Sequence, residues 1–129
     1  MNIVIAGFGV AGATAAETAR KNDPDAYITV LSKEKDLFYY RTRLPEVVSG
    51  DLSPEKILAH PKEWYDERKI EIRLGEYLTE VHPQEKIIRG SMGSRQQYDR
   101  LLLAVGAEPN RPPLPGDKLG GIHAVRSLN

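Results

Sequence analysis

The sequence predicts an α/β fold in which a central parallel sheet carries helices on one face and a small antiparallel β-meander on the other. Two apolar runs, residues 2–6 and 101–105, lack polar alternation and are typical of parallel strands buried on both faces. An alanine-rich segment follows the first run, and shorter runs later in the chain alternate apolar with polar residues. With 129 residues, the chain has the size of one domain with one core.

The first thirty residues predict a strand, a glycine turn, a helix and a second strand. The helix is expected over 10–22, where alanines give good helix propensity, and it stops before Pro24. The second strand is expected over 27–31. This order is a βαβ unit, which joins two parallel strands through a helix.

The middle of the chain carries weaker patterns. Residues 37–43 show no clear period, and a loop is the preferred interpretation there, with a short helix over 44–49 as the alternative. Ser53 followed by Pro54 is typical of a helix start. A further helix is expected over 61–68.

The second half predicts mainly strands. Runs that alternate with period two are assigned to the antiparallel meander, and they cover residues 69–73, 77–81, 86–89 and 95–98. The run 101–105 is expected to be a fully buried strand that ends at Gly106. Four prolines between 109 and 115 then favour an extended, stiff segment.

Composition argues against several classes of function. Eighteen Lys and Arg residues balance 18 Asp and Glu residues, so neither nucleic acid nor an anionic membrane is an expected partner. The chain has no Cys, which excludes disulfide exchange, thiolate nucleophiles and cysteine-ligated metals within it. Three widely spaced His residues do not predict a metal site. With no membrane-spanning run and no secretory signal recognised, a cytoplasmic location is expected.

A glycine motif lies between the first strand and the first helix. Residues 7–12 fit G-x-G-x-x-G, in which Gly7 allows the tight turn, Gly9 lets a pyrophosphate approach and Gly12 permits close helix packing. The helix N-terminus, with Val10 and Ala11 in its first turn, supplies free N–H groups and a partial positive charge. A dinucleotide is the natural ligand, and a turn built for packing alone is the alternative.

The end of the second predicted strand is a further candidate contact. A carboxylate about 20 residues after such a turn usually binds the adenosine ribose, and Glu34 lies in that window. Lys33 precedes it and favours a 2′-phosphate instead. The strand end therefore does not separate NAD, NADP and FAD, and a solvated charge run over 33–36 is the alternative.

Three motifs in order resemble the FAD-binding part of the pyridine nucleotide-disulfide oxidoreductase superfamily. They are the glycine turn, Phe38-Tyr39-Tyr40-Arg41, and residues 98–109 with the proline-rich segment that follows. The resemblance runs from Met1 to Asn129 and is greatest to the branch of nitrite reductases, NADH oxidases and rubredoxin reductases. It implies a Rossmann-like FAD/NAD(P)-binding fold. Residues 1–129 would be the N-terminal part of an FAD-binding domain, and the NAD(P)H-binding and interface domains of the family would lie outside them.

The resemblance implies FAD as the cofactor and carries contacts over by position. Lys33 stands where the family places an acid on the adenosine ribose, so either Glu34 replaces that acid or the backbone and Lys33 hold the ribose. Arg41 matches a cofactor-contacting arginine. Glu46 replaces a lysine found in many relatives and receives no role, and no catalytic residue or metal ligand is assigned. The implied cofactor-binding residues are Gly7, Gly9, Val10, Ala11, Gly12, Lys33, Glu34, Arg41, Val81, Ala104, Val105 and Gly106.

The resemblance also implies an activity for the parent protein, which would pass electrons from NAD(P)H through FAD to a redox acceptor. Because the chain has no Cys, a redox protein such as rubredoxin is favoured over a disulfide as that acceptor. NAD(P)H would bind to a domain outside this chain, so the isolated chain is expected to be inactive. A stand-alone regulatory nucleotide-binding module is the alternative, and an open sheet edge offers a route to a homodimer.

Overall fold

A computed structural model describes residues 1–128 and confirms the α/β class. Its strands and helices in chain order are β1 (Asn2–Ala6), α1 (Val10–Asn22), β2 (Tyr27–Ser32), α2 (Leu44–Val48), α3 (Lys62–Glu67), β3 (Ile70–Leu74), β4 (Leu78–His82), β5 (Ile87–Gly90), β6 (Arg95–Gln97) and β7 (Arg100–Leu103). Two 3₁₀ turns cover Arg41–Arg43 and Pro54–Ile57. The predicted bounds of β1 and α1 are confirmed to the residue.

Four parallel strands form the main sheet in the order β3-β2-β1-β7. At the carboxyl end of β1, Ala6 lies opposite Leu31 of β2 and Leu103 of β7. The carboxyl ends of these three strands therefore meet at one edge of the sheet, which is where ligands bind in open parallel sheets.

The two faces of the sheet are covered as the sequence predicts. On one face, buried sheet residues pack against α1 and α3 in a cluster that includes Ile5, Val30, Ala16 and Tyr65. Alanines on α1 keep its inner surface narrow, so the helix lies close to the sheet. On the other face the antiparallel meander β4-β5-β6 inserts Ile88 against β1 and β2.

The assignment of residues 69–73 to the meander is wrong. Strand β3 runs parallel to β2 and forms an edge of the main sheet. Its residues alternate because only one face lies under the helices, where Ile70 and Ile72 join the apolar cluster. Glu71 and Arg73 pair with each other on the opposite face. An edge strand of a parallel sheet therefore carries the same period-two pattern as a strand of an antiparallel meander.

Strand β7 is shorter and more exposed than its sequence predicts. It ends at Leu103 and pairs with β1 on one side only. Leu102 is 39% exposed and Leu103 58% exposed, so the prediction of a fully buried strand over 101–105 is wrong for this chain. The apolar pattern predicts the burial of a central strand. Within residues 1–128, however, β7 is an edge strand with no strand beyond it, so its side chains lack neighbours on that side.

The segments between β2 and β3 are short helices and turns. The helix alternative at residues 44–49 is confirmed as α2, and the predicted helix start at Ser53 leads only into a 3₁₀ turn. Helix α3 lies inside the range predicted for it. No helix among residues 1–128 has the length and apolar character needed to cross a membrane.

Arg20 fastens the end of α1 to the start of β3. Its guanidinium has five N–H donors, and all five find backbone carbonyls at 2.6–3.1 Å. The accepting residues are Asp23, Pro24, Ala26, Arg68 and Lys69. One side chain thereby satisfies the carbonyls of two connecting segments.

Candidate functional site

A cavity of about 500 Å³ opens at the carboxyl ends of the parallel strands. Its lining comes from the glycine turn (residues 7–9), from the end of β2 and the segment after it (residues 32–39 and 41), and from the segment after β7 (residues 104–108). Arg126 and Ser127 complete the wall. The strand order thus brings together three segments that are far apart in the sequence.

The three glycines of the turn differ in what surrounds them. Gly7 has a positive φ of 109°, and a Cβ there would collide with the Ala104 carbonyl. A Cβ at Gly12 would collide with the Gly7 carbonyl, so Gly12 lets α1 approach the turn. Gly9 lines the cavity, and a Cβ there would meet nothing within 4 Å. The fold therefore requires Gly7 and Gly12, whereas at Gly9 it leaves open space.

The N-terminus of α1 begins at this open position. Gly9 is the N-cap, no side chain caps the helix, and its first turn has no acidic residue. Val10, the first helical residue, is 69% exposed. Free N–H groups and the positive end of the helix dipole therefore lie beside the cavity, a favourable place for a phosphate.

The second wall holds a hydrogen-bonded group formed by Glu34, Tyr39 and Arg41. The Arg41 guanidinium forms an ion pair with Glu34, and the Tyr39 hydroxyl donates a hydrogen bond to the same carboxylate at 2.5 Å. Burial, reinforced by the hydrogen bond to Glu34, raises the pKa of Tyr39 to about 12. Glu34 is therefore already occupied by two partners of this chain.

Lys33 is in a different situation from Glu34. Its side chain is 76% exposed, and its ammonium lies 3.9 Å from the Glu108 carboxylate on the opposite wall. An exposed pair at this distance contributes little stability, so Lys33 is free to reorient.

The structure brings most of the predicted site residues to this cavity. Eight of them line it, namely Gly7, Gly9, Lys33, Glu34, Arg41, Ala104, Val105 and Gly106. Val10 and Ala11 lie beside it in the exposed first turn of α1, and Gly12 lies beneath the turn. Val81 packs with Ile88 in the core under the meander, away from the lining. Contact with a ligand stays a prediction for all twelve positions.

Glu46 does not line the cavity. Its carboxylate forms an ion pair with Arg43 at 2.7 Å, and the Arg43 hydrogen bond lowers the pKa of Glu46. Glu46 and Arg43 thus form an exposed surface pair in this chain.

Arg126 is a cavity residue that sequence reasoning missed. Its guanidinium donates to the Ala107 carbonyl at 2.7 Å, and its own carbonyl accepts from Arg41 at 2.5 Å. In the sequence it is one arginine after a proline-rich segment, with no motif around it. Its place in the cavity wall becomes visible only in the structure, where the chain returns to the cavity after residues 108–125.

Comparison with known proteins identifies the family of this chain. The family model described as "Pyridine nucleotide-disulphide oxidoreductase" matches residues 1–129. The chain belongs to this family. The family resemblance predicted from the three motifs is thereby confirmed.

Relatives within the pyridine nucleotide-disulphide oxidoreductase family are similar over nearly the whole chain. An NADH oxidase of Methanocaldococcus jannaschii is 35% identical over 99% of this chain. An NADH-rubredoxin oxidoreductase of Clostridium acetobutylicum is 34% identical over 88% of the chain, and the solved structure of an NADH:rubredoxin oxidoreductase from that organism superimposes with a TM-score of 0.80. The structure of an NAD-dependent persulfide reductase from A. fulgidus covers 98% of the chain at 28% identity and a TM-score of 0.88.

The chain spans only part of the length of these family members. It covers 30% of the M. jannaschii protein, 29% of the C. acetobutylicum protein and 26% of the A. fulgidus chain. The structural matches therefore bear on the fold of residues 1–129.

Proposed function

We propose that this chain binds FAD, as the FAD-binding segment of an NAD(P)H-dependent flavoprotein oxidoreductase. The observation that carries the proposal is the open space at Gly9, next to the uncapped N-terminus of α1. Packing within the chain accounts for Gly7 and Gly12, where a side chain would collide with backbone carbonyls. Gly9 has no such neighbour, so its lack of a side chain suits a bound pyrophosphate.

The residues around the cavity fit the parts of FAD. The pyrophosphate would lie against Gly9 and the first N–H groups of α1, which favour negative charge. Arg41 and Arg126 supply planar cations suited to phosphate or flavin oxygens. At the end of β2, Lys33 is the side chain available for the adenosine ribose, because its exposed pair with Glu108 is weak and Glu34 is held by Tyr39 and Arg41.

The proposed activity of the parent protein is electron transfer from NAD(P)H to a redox acceptor. FAD, when bound, supplies the hydride and electron chemistry, and the residues of this chain bind and orient it. Names of relatives support this class, including an NADH-rubredoxin oxidoreductase and a ferredoxin–NAD(+) reductase component. Because residues 1–129 contain no Cys, we favour a redox protein over a disulfide as the acceptor.

The test is an equilibrium titration of the purified chain with FAD, NAD and ATP in parallel, followed by gel filtration. The proposal predicts quenching of flavin fluorescence and a yellow protein peak. Binding of NAD or ATP without FAD would instead support the regulatory nucleotide-binding module. A folded chain that binds none of the three would contradict the proposal for this segment.

A further inference from the structure

The Tyr39 hydroxyl forms a junction between the cavity and the end of the described chain. It donates to Glu34 at 2.5 Å, and it accepts from Arg41 Nη1 at 3.1 Å and from the Leu128 backbone N–H at 3.2 Å. A tyrosine hydroxyl has one donor and two acceptor positions, so its whole hydrogen-bonding capacity is used. Two of its partners, Glu34 and Arg41, line the cavity.

The ring of Tyr39 is held firmly enough for its hydroxyl to act as a fixed point. The residue is 3% exposed and packs with Leu44 and Ile57, and Leu128 packs against this cluster. Its backbone forms a β-bridge with Leu58. The hydroxyl position is therefore set by packing from several segments, whereas the long Arg41 side chain takes its position from its partners.

Arg41, a partner of the Tyr39 hydroxyl, also bonds to the neck of a long loop. Arg126 donates to the Ala107 carbonyl and accepts from Arg41, so residues 108–125 leave and return at one point of the cavity wall. Residues of this loop are mostly exposed, and Asp117 alone among them is half-buried. The hydrogen bonds of Arg126 and the packing of Leu128 therefore restrain where the loop begins and ends.

We propose that Tyr39 is a positioning residue, whose hydroxyl fixes Arg41 and Glu34 in the cavity wall and couples occupancy of the cavity to closure of the 108–125 loop. The ligand half of this proposal rests on the proposed function, with FAD as the probe. A ligand in the cavity contacts both ends of the neck, because residues 104–108 and 126–127 line the same space. Binding therefore stabilises the hydrogen bonds at the neck of the loop. Those hydrogen bonds in turn keep Arg41 in the position that the ligand contacts.

The test compares Tyr39→Phe with Tyr65→Phe. Tyr65 is a matched control because it is 1% exposed and its hydroxyl finds no hydrogen-bond partner within residues 1–128. Without ligand, trypsin cleavage after Lys118, an exposed loop residue, is expected to be several-fold faster in Tyr39→Phe and unchanged in Tyr65→Phe. With FAD, the Kd is expected to rise about three- to tenfold in Tyr39→Phe alone, the effect of one lost hydrogen bond.

A second pair of variants keeps the test decisive if Tyr39→Phe does not fold. Leu128→Pro and Leu128→Ala both remove the leucine side chain, but only proline removes the N–H that Tyr39 accepts. Faster loop cleavage in Leu128→Pro than in Leu128→Ala supports the proposal, and equal rates overturn it.

The FAD affinities and the ligand-free cleavage rates distinguish failure of the positioning role of Tyr39 from failure of the proposed function. If the wild-type chain binds FAD but Tyr39→Phe matches Tyr65→Phe in both Kd and cleavage rate, the positioning role is wrong. If the wild-type chain binds no flavin, the proposed function fails and the coupling to a ligand fails with it. The ligand-free cleavage rates then decide whether the hydroxyl closes the loop.

Discussion

Gly9 and Gly12 stand in the same glycine turn, but a side chain would meet opposite surroundings at the two positions. At Gly12 it would collide with the carbonyl of Gly7, and at Gly9 it would meet nothing within 4 Å. The close approach of Gly12 to the Gly7 carbonyl is required by the fold, because it sets how closely α1 approaches the turn. The second position has no partner in the chain, which leaves room for the pyrophosphate that the proposed function places there.

Substitution of the two glycines by alanine is expected to affect stability very differently. Gly12→Ala forces α1 away from the turn and costs about 2–3 kcal/mol of unfolding free energy. Gly9→Ala changes an N-cap with room for the methyl group and costs less than about 1 kcal/mol. Urea denaturation of both variants measures the difference, and equal losses would contradict this division of roles.

Arg20→Gln is expected to destabilise the chain strongly. The substitution removes the guanidinium that serves five carbonyls around the end of α1, and we expect a loss of about 2–3 kcal/mol. Arg100→Gln is the control, because that exposed arginine bonds to the neighbouring Asp99 carbonyl and should change stability by less than about 0.5 kcal/mol. Chemical denaturation gives both values, and a similar effect of the two variants would refute the role given to Arg20.

Stability is expected to fall at alkaline pH because of two buried tyrosines. Burial raises the pKa of both Tyr39 and Tyr65 to about 12, and Glu34 and Glu17 respectively add to this effect. The unfolded chain releases these protons near pH 10, so each contribution is complete below about pH 10 and is lost as pH rises towards 12.

The slope of the alkaline loss measures this contribution. Each tyrosine adds at most about 1.4 kcal/mol per pH unit to it. Denaturation midpoints measured across this range should fall less steeply in Tyr65→Phe than in the wild-type chain. Parallel slopes would show that burial of Tyr65 has been misjudged.

The open edge of β7 predicts self-association of the isolated chain. Leu103 is 58% exposed on a strand that pairs on one side only, and unpaired apolar edges favour pairing between chains. Sedimentation at increasing concentration should reveal a dimer, and Leu103→Lys should shift the chain to monomer because charge blocks edge pairing. A wild-type chain that stays monomeric at every concentration would exclude this route.

Local patterns predicted the elements that depend on short-range chemistry. Strand β1, the glycine turn and α1 follow from an apolar run, glycines at fixed spacing and a proline stop, so their bounds matched to the residue. Strand β3 was misassigned because alternation reports which faces are covered and not which strand lies alongside. Partner choice is a long-range property that the local pattern does not contain.

The sequence predicted only the part of the candidate site that belongs to local motifs. The glycine turn and Arg41 belong to motifs, and the structure places them on one cavity. The partners of Glu34 were not predictable, because Tyr39 and Arg41 reach it through side-chain geometry. Arg126 was missed because residues 108–125 separate it from the cavity in the sequence.

The proposed place of FAD is tested most directly by the FAD affinity of Gly9→Val beside that of the wild-type chain, with circular dichroism and the unfolding midpoint recorded for both. We expect Gly9→Val to keep the fold, because the space at Gly9 is open, and to bind FAD at least about tenfold more weakly, roughly 1.4 kcal/mol. If Gly9→Val is folded and binds FAD as well as the wild-type chain, the cofactor does not lie at this turn and the proposed function is wrong for it.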